Sequence, residues 1–287
     1  MKILITGANG MLAKAVRQRF ENEELILTDV YVENIADVEE LDITNLEDVL
    51  DFVEEIKPNV IINCAAYTAV DNAETDVSLA RQINADGPRN LAIAAKNEGC
   101  ILVHISTDYV FGGDLSLEYV YSEDDEKNPQ TVYGVTKLKG EEAIKENMEN
   151  YYIFRTAWLY GDGKNFVRTM LKAGRENEQV SVVYDQHGSP TYTVDLADII
   201  YQTLEMKIPY GIYHTTNMGY TTWFDFTKQI YKIAKISCNV NPVTSEQFVR
   251  PAKRPANSMM SKCKILDAGV TIPSWEDALS RYLETEL

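Results

Sequence analysis

Tyr133 and Lys137 stand four residues apart in Tyr133-Gly134-Val135-Thr136-Lys137, a spacing that sets a phenol and an ammonium on one face of a helix. A carbonyl that accepts hydride becomes an alkoxide and needs a proton, which a phenol can supply as general acid. A free phenol, with a pKa of about 10, is too weak an acid for easy transfer at neutral pH. A neighbouring Lys⁺ favours the phenolate and lowers that value. The same spacing recurs at Tyr160 and Lys164, which straddle two glycines in an expected loop, and at Tyr231 and Lys235, on a late helix with no strand-end hydroxyl nearby. Only Tyr133 and Lys137 follow a strand ending Ile105-Ser106-Thr107-Asp108. At the C-terminal edge of a parallel sheet, Thr107 would lie beside a bound cofactor and help polarise the carbonyl.

A hydride needs a carrier, and Thr6-Gly7-Ala8-Asn9-Gly10-Met11-Leu12-Ala13 follows the first strand and opens the first helix, the context a dinucleotide-binding turn requires. Gly7 permits the tight turn, Gly10 lets backbone approach a pyrophosphate, and the helix N-terminus supplies N–H donors. Asp29 lies about 20 residues further on at the end of strand two, where an acid accepts hydrogen bonds from the adenine ribose and repels a 2′-phosphate. The expected cofactor is therefore NADH or NADPH, with NADH favoured.

These residues need a scaffold. Strands expected at Lys2–Thr6, Leu25–Thr28, Asn59–Asn63, Cys100–Ser106 and Tyr151–Thr156 alternate with helices expected at Gly10–Glu21, Asn45–Ile56, Val77–Asn97 and Tyr133–Glu149. Thr44 and Glu47 are spaced as a capping box. This alternation predicts an α/β fold, a doubly wound parallel sheet of Rossmann type. After residue 157 the pattern turns irregular. The elements expected there are a helix from Phe166, a strand Val180–Tyr184, a helix Asp195–Glu205, a strand Gly211–Thr215 and helices Trp223–Lys235 and Trp275–Leu287, the last capped by Ser274. The division expected is 1–157 for the dinucleotide and 158–287 as a smaller C-terminal substrate-binding region, parts of which, about 165–175 and 211–235, pack back on the first.

The 287 residues carry 27 Lys plus Arg against 44 Asp plus Glu, a net charge of −17 that opposes nucleic-acid or anionic-membrane partners. With 45% apolar and 25% charged residues the composition is that of a globular chain rather than a disordered one. No window approaches the ~18 apolar residues of a membrane span, and the first apolar run is too short for a signal peptide. A cytoplasmic location is expected. Four dispersed cysteines and three isolated histidines predict reduced thiols and no metal site.

Longer motifs carry a resemblance: Ile5-Thr6-Gly7-Ala8-Asn9-Gly10, Leu41-Asp42-Ile43-Thr44, Asn63-Cys64-Ala65-Ala66-Tyr67-Thr68-Ala69-Val70-Asp71, Ile105 through Phe111, Tyr133 through Lys137, Arg155 through Tyr160, Asp185 through Thr191, and Arg254-Pro255. In their order and spacing the chain resembles the extended short-chain dehydrogenase/reductases and, within them, the dTDP-4-dehydrorhamnose reductase family. The resemblance implies reduction of the 4-keto group of a dTDP-6-deoxyhexulose, giving dTDP-L-rhamnose, with Thr107, Tyr133 and Lys137 as the catalytic trio. It further implies that Asn9, Met11, Leu12, Asp42, Ile43, Ala65, Ala66 and Thr68 border the cofactor, that Asp108 lies near the substrate, and that Trp158 faces the sugar. The related 4,6-dehydratases carry Thr-Asp-Glu where this chain has Thr107-Asp108-Tyr109, so the second acid needed for water elimination is missing.

Departures from the pattern matter too. Tyr67 stands where the family often has His. Ala15 stands where some members have a Glu that joins a metal-bridged dimer, so a monomer or weak homodimer is expected. The chain also resembles the non-catalytic beta subunit of methionine adenosyltransferase, which makes a nucleotide-binding regulatory subunit the alternative function. The densest basic cluster, Arg250, Lys253 and Arg254, is the place for an acidic chain to hold a sugar-nucleotide diphosphate, with Arg254 as the charge-assisted contact.

Overall fold

Ile3 and Ile5 alternate with Leu4 along the first strand, and all three are fully buried. Apolar residues on both faces of a strand belong in the middle of a parallel sheet covered on both sides. The computed structural model, which describes residues 1–32 and 37–287, shows such a sheet. In chain order its first half contains β1 (Lys2–Thr6), α1 (Met11–Arg19), β2 (Glu24–Asp29), β3 (Glu39–Glu40), α2 (Leu46–Ile56), β4 (Val60–Asn63), α3 (Val70–Ala73), α4 (Val77–Arg81), α5 (Gly87–Glu98), β5 (Ile101–Thr107), α6 (Val132–Asn147) and β6 (Tyr151–Thr156). The second half adds β7 (Leu159–Tyr160), α7 (Phe166–Glu176), β8 (Gln179–Val183), β9 (His187–Gly188), β10 (Thr191–Tyr192), α8 (Thr193–Met206), β11 (Gly211–His214), β12 (Thr221–Thr222), α9 (Trp223–Ala234), β13 (Asn239–Val243), α10 (Cys263–Asp267) and α11 (Trp275–Glu286).

The central sheet has seven parallel strands in the order β11-β6-β5-β4-β1-β2-β3. Ile3, Ile5, Val103 and Phe154 pack on one face with Val16 of α1, Phe20 just after it, and Leu196 and Ile200 of α8. Leu4, Ile61, Leu102 and Ile153 pack on the other with Val49 of α2, Leu91 of α5 and Ile144 of α6. The chain winds outward in opposite directions from β1 and β4, so the crevice at their C-terminal ends is the switch point where α/β sheets bind dinucleotides.

Two local expectations need correction. The helix expected over Val77–Asn97 is α4, a π-helical turn at Gln82–Asp86, and α5. Pro88 lacks the N–H an unbroken helix would use, and within the turn Asn84 bonds the backbone of Tyr67 and the Thr136 hydroxyl. The cap of α2 is Asn45, whose side chain accepts the Glu47 N–H at 3.1 Å, because the Thr44 N–H is held outside the helix by Asp42 at 2.9 Å.

In the second half, β11 pairs with β6 at the edge of the central sheet, whereas α7, α9 and α11 share a separate apolar cluster built on Val167, Phe226, Ile230, Trp275 and Leu279. Ser274 caps α11 as its sequence suggests. Among the described residues no helix is long and apolar enough to cross a membrane, and no group of His, Cys, Asp and Glu is suited to a metal ion.

Candidate active site

The loop between β1 and α1 is shaped for close backbone approach. Gly7 adopts φ +66°, and a Cβ there would lie 2.6 Å from the Ala65 nitrogen, a backbone atom that cannot give way. A Cβ at Gly10 would meet only the Gly7 carbonyl within 4 Å, and α1 begins without a side-chain cap, so its first N–H groups are free for an anion. A dinucleotide pyrophosphate fits this cradle. Leu12 is buried and anchors the helix, and Met11 lies beside Gly163.

Asp29 ends β2 and fixes the loop: its carboxylate accepts the Asn9 N–H at 3.0 Å and the Tyr31 N–H at 3.2 Å, while the Asn9 amide reaches the Tyr31 carbonyl. Each carboxylate oxygen keeps a lone pair for a further donor. Asp42 is exposed beyond β3, and Ile43 is buried with its carbonyl held by Asn90 at 3.0 Å. Ala65 and Ala66 are half-buried and Thr68 exposed after β4. All these residues therefore lie at or just after the C-terminal ends of β1 to β4.

Tyr133 reaches β5 because α6 presses closely on the turn after it. Thr131 caps α6, accepting the Gly134 N–H at 3.0 Å, and a Cβ at Gly134 would lie 2.3 Å from the Tyr109 carbonyl. The Tyr133 ring meets Tyr109 edge-on, 5.4 Å between centroids. Burial pushes the Tyr133 phenol up to about 12, with the Thr107 hydroxyl pulling it down and Asp108 pushing it up. The expected lowering by Lys137 is not seen in this arrangement. Lys137 is buried and bound to β5, its Nζ 2.5 Å from the Ile105 carbonyl and 3.3 Å from His104 Nε2, and burial lowers its own pKa to about 8.

Thr107 donates to Asp108 Oδ1 at 2.9 Å, and Ser258, far along the chain, donates to Oδ2 at 2.5 Å. Burial pushes Asp108 up to about 6 although these hydrogen bonds oppose it. Its folded value lies above its ordinary one of 3.8, so the folded protein binds this proton more tightly than the unfolded chain does. Stability is accordingly lost as pH rises through that window. Asp108→Asn is therefore expected to stabilise the protein at pH 8 by up to about 3 kcal/mol, with the advantage vanishing below pH ~4; urea unfolding at the two pH values measures it. An equal effect at both would show that the charge is not responsible.

Beside these groups opens a cleft of about 370 Å³, lined by Tyr109, Trp158, Trp223, Phe248, Arg250 and Arg254. Trp158 adopts φ +50°, unusual for a bulky residue, and stacks on Trp223 at 3.7 Å. Arg254 binds Asp71 at 2.9 Å, and Arg250 lies over Phe248. The cleft thus joins an aromatic floor to two guanidinium groups, features suited to a sugar and a diphosphate.

Sequence reasoning missed His104, Ser258 and Trp223. Trp223 and Ser258 come from distant segments with no spacing signal, and His104 read as an isolated histidine. Asp71 and Tyr109 lie within the 63–71 and 105–111 motifs, where spacing alone assigns them no contact in the site.

The chain matches the family model described as the RmlD substrate binding domain over residues 1–287. It is 40% identical over 284 residues to a probable dTDP-4,6-dihydroxy-2-methyloxan-3-one 4-ketoreductase of Streptomyces antibioticus, covering 97% of this chain and 93% of that protein. To dTDP-4-dehydrorhamnose reductase of Streptomyces griseus it is 40% identical, covering 96% and 91%. Among solved structures, a dTDP-4-dehydrorhamnose reductase from Clostridium acetobutylicum superposes with a TM-score of 0.93 at 46% identity, covering 100% of this chain and 99% of that one. The Bacillus anthracis enzyme, in complex with NADP, gives 0.90 at 42%, covering 99% of each. With this coverage along the whole chain, the protein belongs to the RmlD family, that of the dTDP-4-dehydrorhamnose reductases.

Proposed function

We propose that the protein reduces the 4-keto group of dTDP-4-dehydro-6-deoxy-L-mannose to give dTDP-L-rhamnose. The observation that carries this reading is the meeting of Tyr133, Thr107 and Asp108 at the end of β5, between the glycine cradle and the aromatic cleft. NADH or NADPH supplies the hydride when bound. Gly7, Asn9, Gly10, Met11, Leu12, Asp29, Asp42, Ile43, Ala65, Ala66 and Thr68 border it, with Tyr133 and Lys137 at its reactive end. Residues 1–157 hold the dinucleotide and residues 158–287 shape the sugar-nucleotide site.

In this mechanism Thr107 turns its hydroxyl from Asp108 to the substrate carbonyl, and Tyr133 delivers its phenolic proton to the oxygen as the alkoxide forms. Trp158 packs on the sugar. Arg254 exchanges Asp71 for the substrate diphosphate, a charge-assisted contact. Asp29 favours NADH by opposing a 2′-phosphate.

One assay tests the reading: loss of reduced cofactor with dTDP-4-dehydro-L-rhamnose. Turnover is expected with both cofactors and with a higher kcat/KM for NADH, and Arg254→Ala is expected to raise KM for the sugar nucleotide. Absence of turnover, together with capture of a stoichiometric synthetase partner, would favour the regulatory-subunit reading. A tenfold preference for NADPH would overturn the role given to Asp29, and an unchanged KM the role given to Arg254.

A further inference from the structure

Beneath the site a buried chain of polar groups leads through Asn63 and His104 to Lys137. The Ala65 N–H, which can only donate, lies 3.1 Å from Asn63 Oδ1, and the Thr6 hydroxyl donates to the same atom at 2.8 Å. That end of the Asn63 amide is therefore the oxygen, and its NH2 faces His104 Nδ1 at 3.0 Å. Nδ1 must accept, so the hydrogen of the neutral ring sits on Nε2. This Nε2–H is directed at Lys137 Nζ, 3.3 Å away. An ammonium has three hydrogens and no lone pair, so it cannot accept from Nε2–H; a neutral amine can.

We propose that His104 is a positioning residue that holds Lys137 against β5 as a neutral amine, with its lone pair on His104 Nε2–H and one N–H on the Ile105 carbonyl. Lys137 then takes up a proton from solvent when it leaves this contact. The inference rests on the reading of Lys137 as the partner of Tyr133, but the hydrogen-bond directions do not depend on it.

The other titratable groups acting on Lys137 are Glu141 on its own helix and Cys64 after β4. Glu141 is committed to Arg155 and Ser106, and burial holds Cys64 as the thiol. Burial also keeps His104 well below its ordinary pKa and brings Lys137 to about 8, with Glu141 opposing the latter change. The low dielectric and the direction of the histidine hydrogen thus act together to favour the amine.

The protein itself supplies a control. His214 Nδ1 faces the Ser261 carbonyl at 3.1 Å, an atom that can only accept, so His214 must carry its hydrogen on Nδ1, the opposite tautomer. In protein labelled with ¹⁵N-histidine, three rings give signals, and the His104 signal is identified by its loss in His104→Gln. The expected result is a neutral Nε2–H ring from pH 5 to 9. A His104 that carries its hydrogen on Nδ1, or titrates to the cation in that range, would overturn the proposal.

The second measurement is the pH profile of kcat/KM. His104→Leu removes the donor that favours the amine, so the alkaline limb should move up by about one pH unit, the worth of one buried hydrogen bond. His104→Gln can offer an N–H to Lys137 and an oxygen to Asn63, and should restore the wild-type limb. Superimposable profiles for wild type and His104→Leu would overturn the positioning role. If Tyr133→Phe proves fully active instead, the reading of the reaction fails while the tautomer result stands.

Discussion

Tyr133→Phe is expected to lower kcat for the dTDP-sugar by roughly 10²–10⁴-fold, the usual contribution of a positioned general acid. The ring remains, so its edge-on contact with Tyr109 and the seating of α6 on the turn after β5 are kept. Melting temperature should change little, which separates a chemical defect from a folding one. The phenol lies at about 12 in the folded protein, so at neutral pH it is present as the acid and ready to donate. The difficulty is its reluctance to part with the proton, and the developing alkoxide must supply that driving force. Steady-state and single-turnover measurements with saturating sugar nucleotide test this, and undiminished turnover would remove Tyr133 from the mechanism.

The second large effect falls on stability. Arg155 and Glu141 form a fully buried, two-pronged ion pair, with Nε to Oε1 at 2.9 Å and Nη2 to Oε2 at 2.7 Å. Ser106 also donates to Glu141, and Arg155 donates to the Glu123 carbonyl at 3.1 Å. Glu141→Ala strands a guanidinium without its counter-charge and should cost about 3–5 kcal/mol. That is a large part of the ~5–15 kcal/mol by which domains are commonly stable. Because the pair fastens α6 to β5 and β6, the loss should also loosen Tyr133 and Lys137 and reduce kcat at temperatures where the protein remains folded. Denaturant unfolding measures the first effect. Replacing both partners by apolar residues of similar volume should recover most of the stability, since desolvation of the charges then no longer opposes folding. A cost below about 1 kcal/mol for Glu141→Ala would mean that water reaches the guanidinium.

Much of this arrangement can be read from neighbouring residues alone. Lys2–Thr6 and Tyr151–Thr156 are strands at the expected bounds, and Ser274 caps α11, because apolar runs and caps depend on residues within a few positions of one another. The same locality misleads at Val77–Asn97. There the helical period is real, but the side chain of Asn84 is drawn to the backbone of Tyr67 and the helix passes through a π turn. At Thr44 the capping-box spacing is present, yet Asp42 holds the Thr44 N–H and Asn45 caps instead.

What the sequence by itself determined is the order of strands and helices, the glycine cradle at Gly7 and Gly10, and the presence of a Tyr and a Lys on one helical face. Only the tertiary structure decided which partners those groups find. Lys137 meets the carbonyl of Ile105 and the ring of His104, Asp108 accepts from Ser258 150 positions away, and Asp71 receives the Ala252 N–H from 181 positions away. The physical reason is range. Periodicity and capping are settled by contacts within a turn or two of backbone, whereas the acidity of a buried amine or carboxyl is set by whichever distant groups the packing brings to its surface and by the water that packing removes.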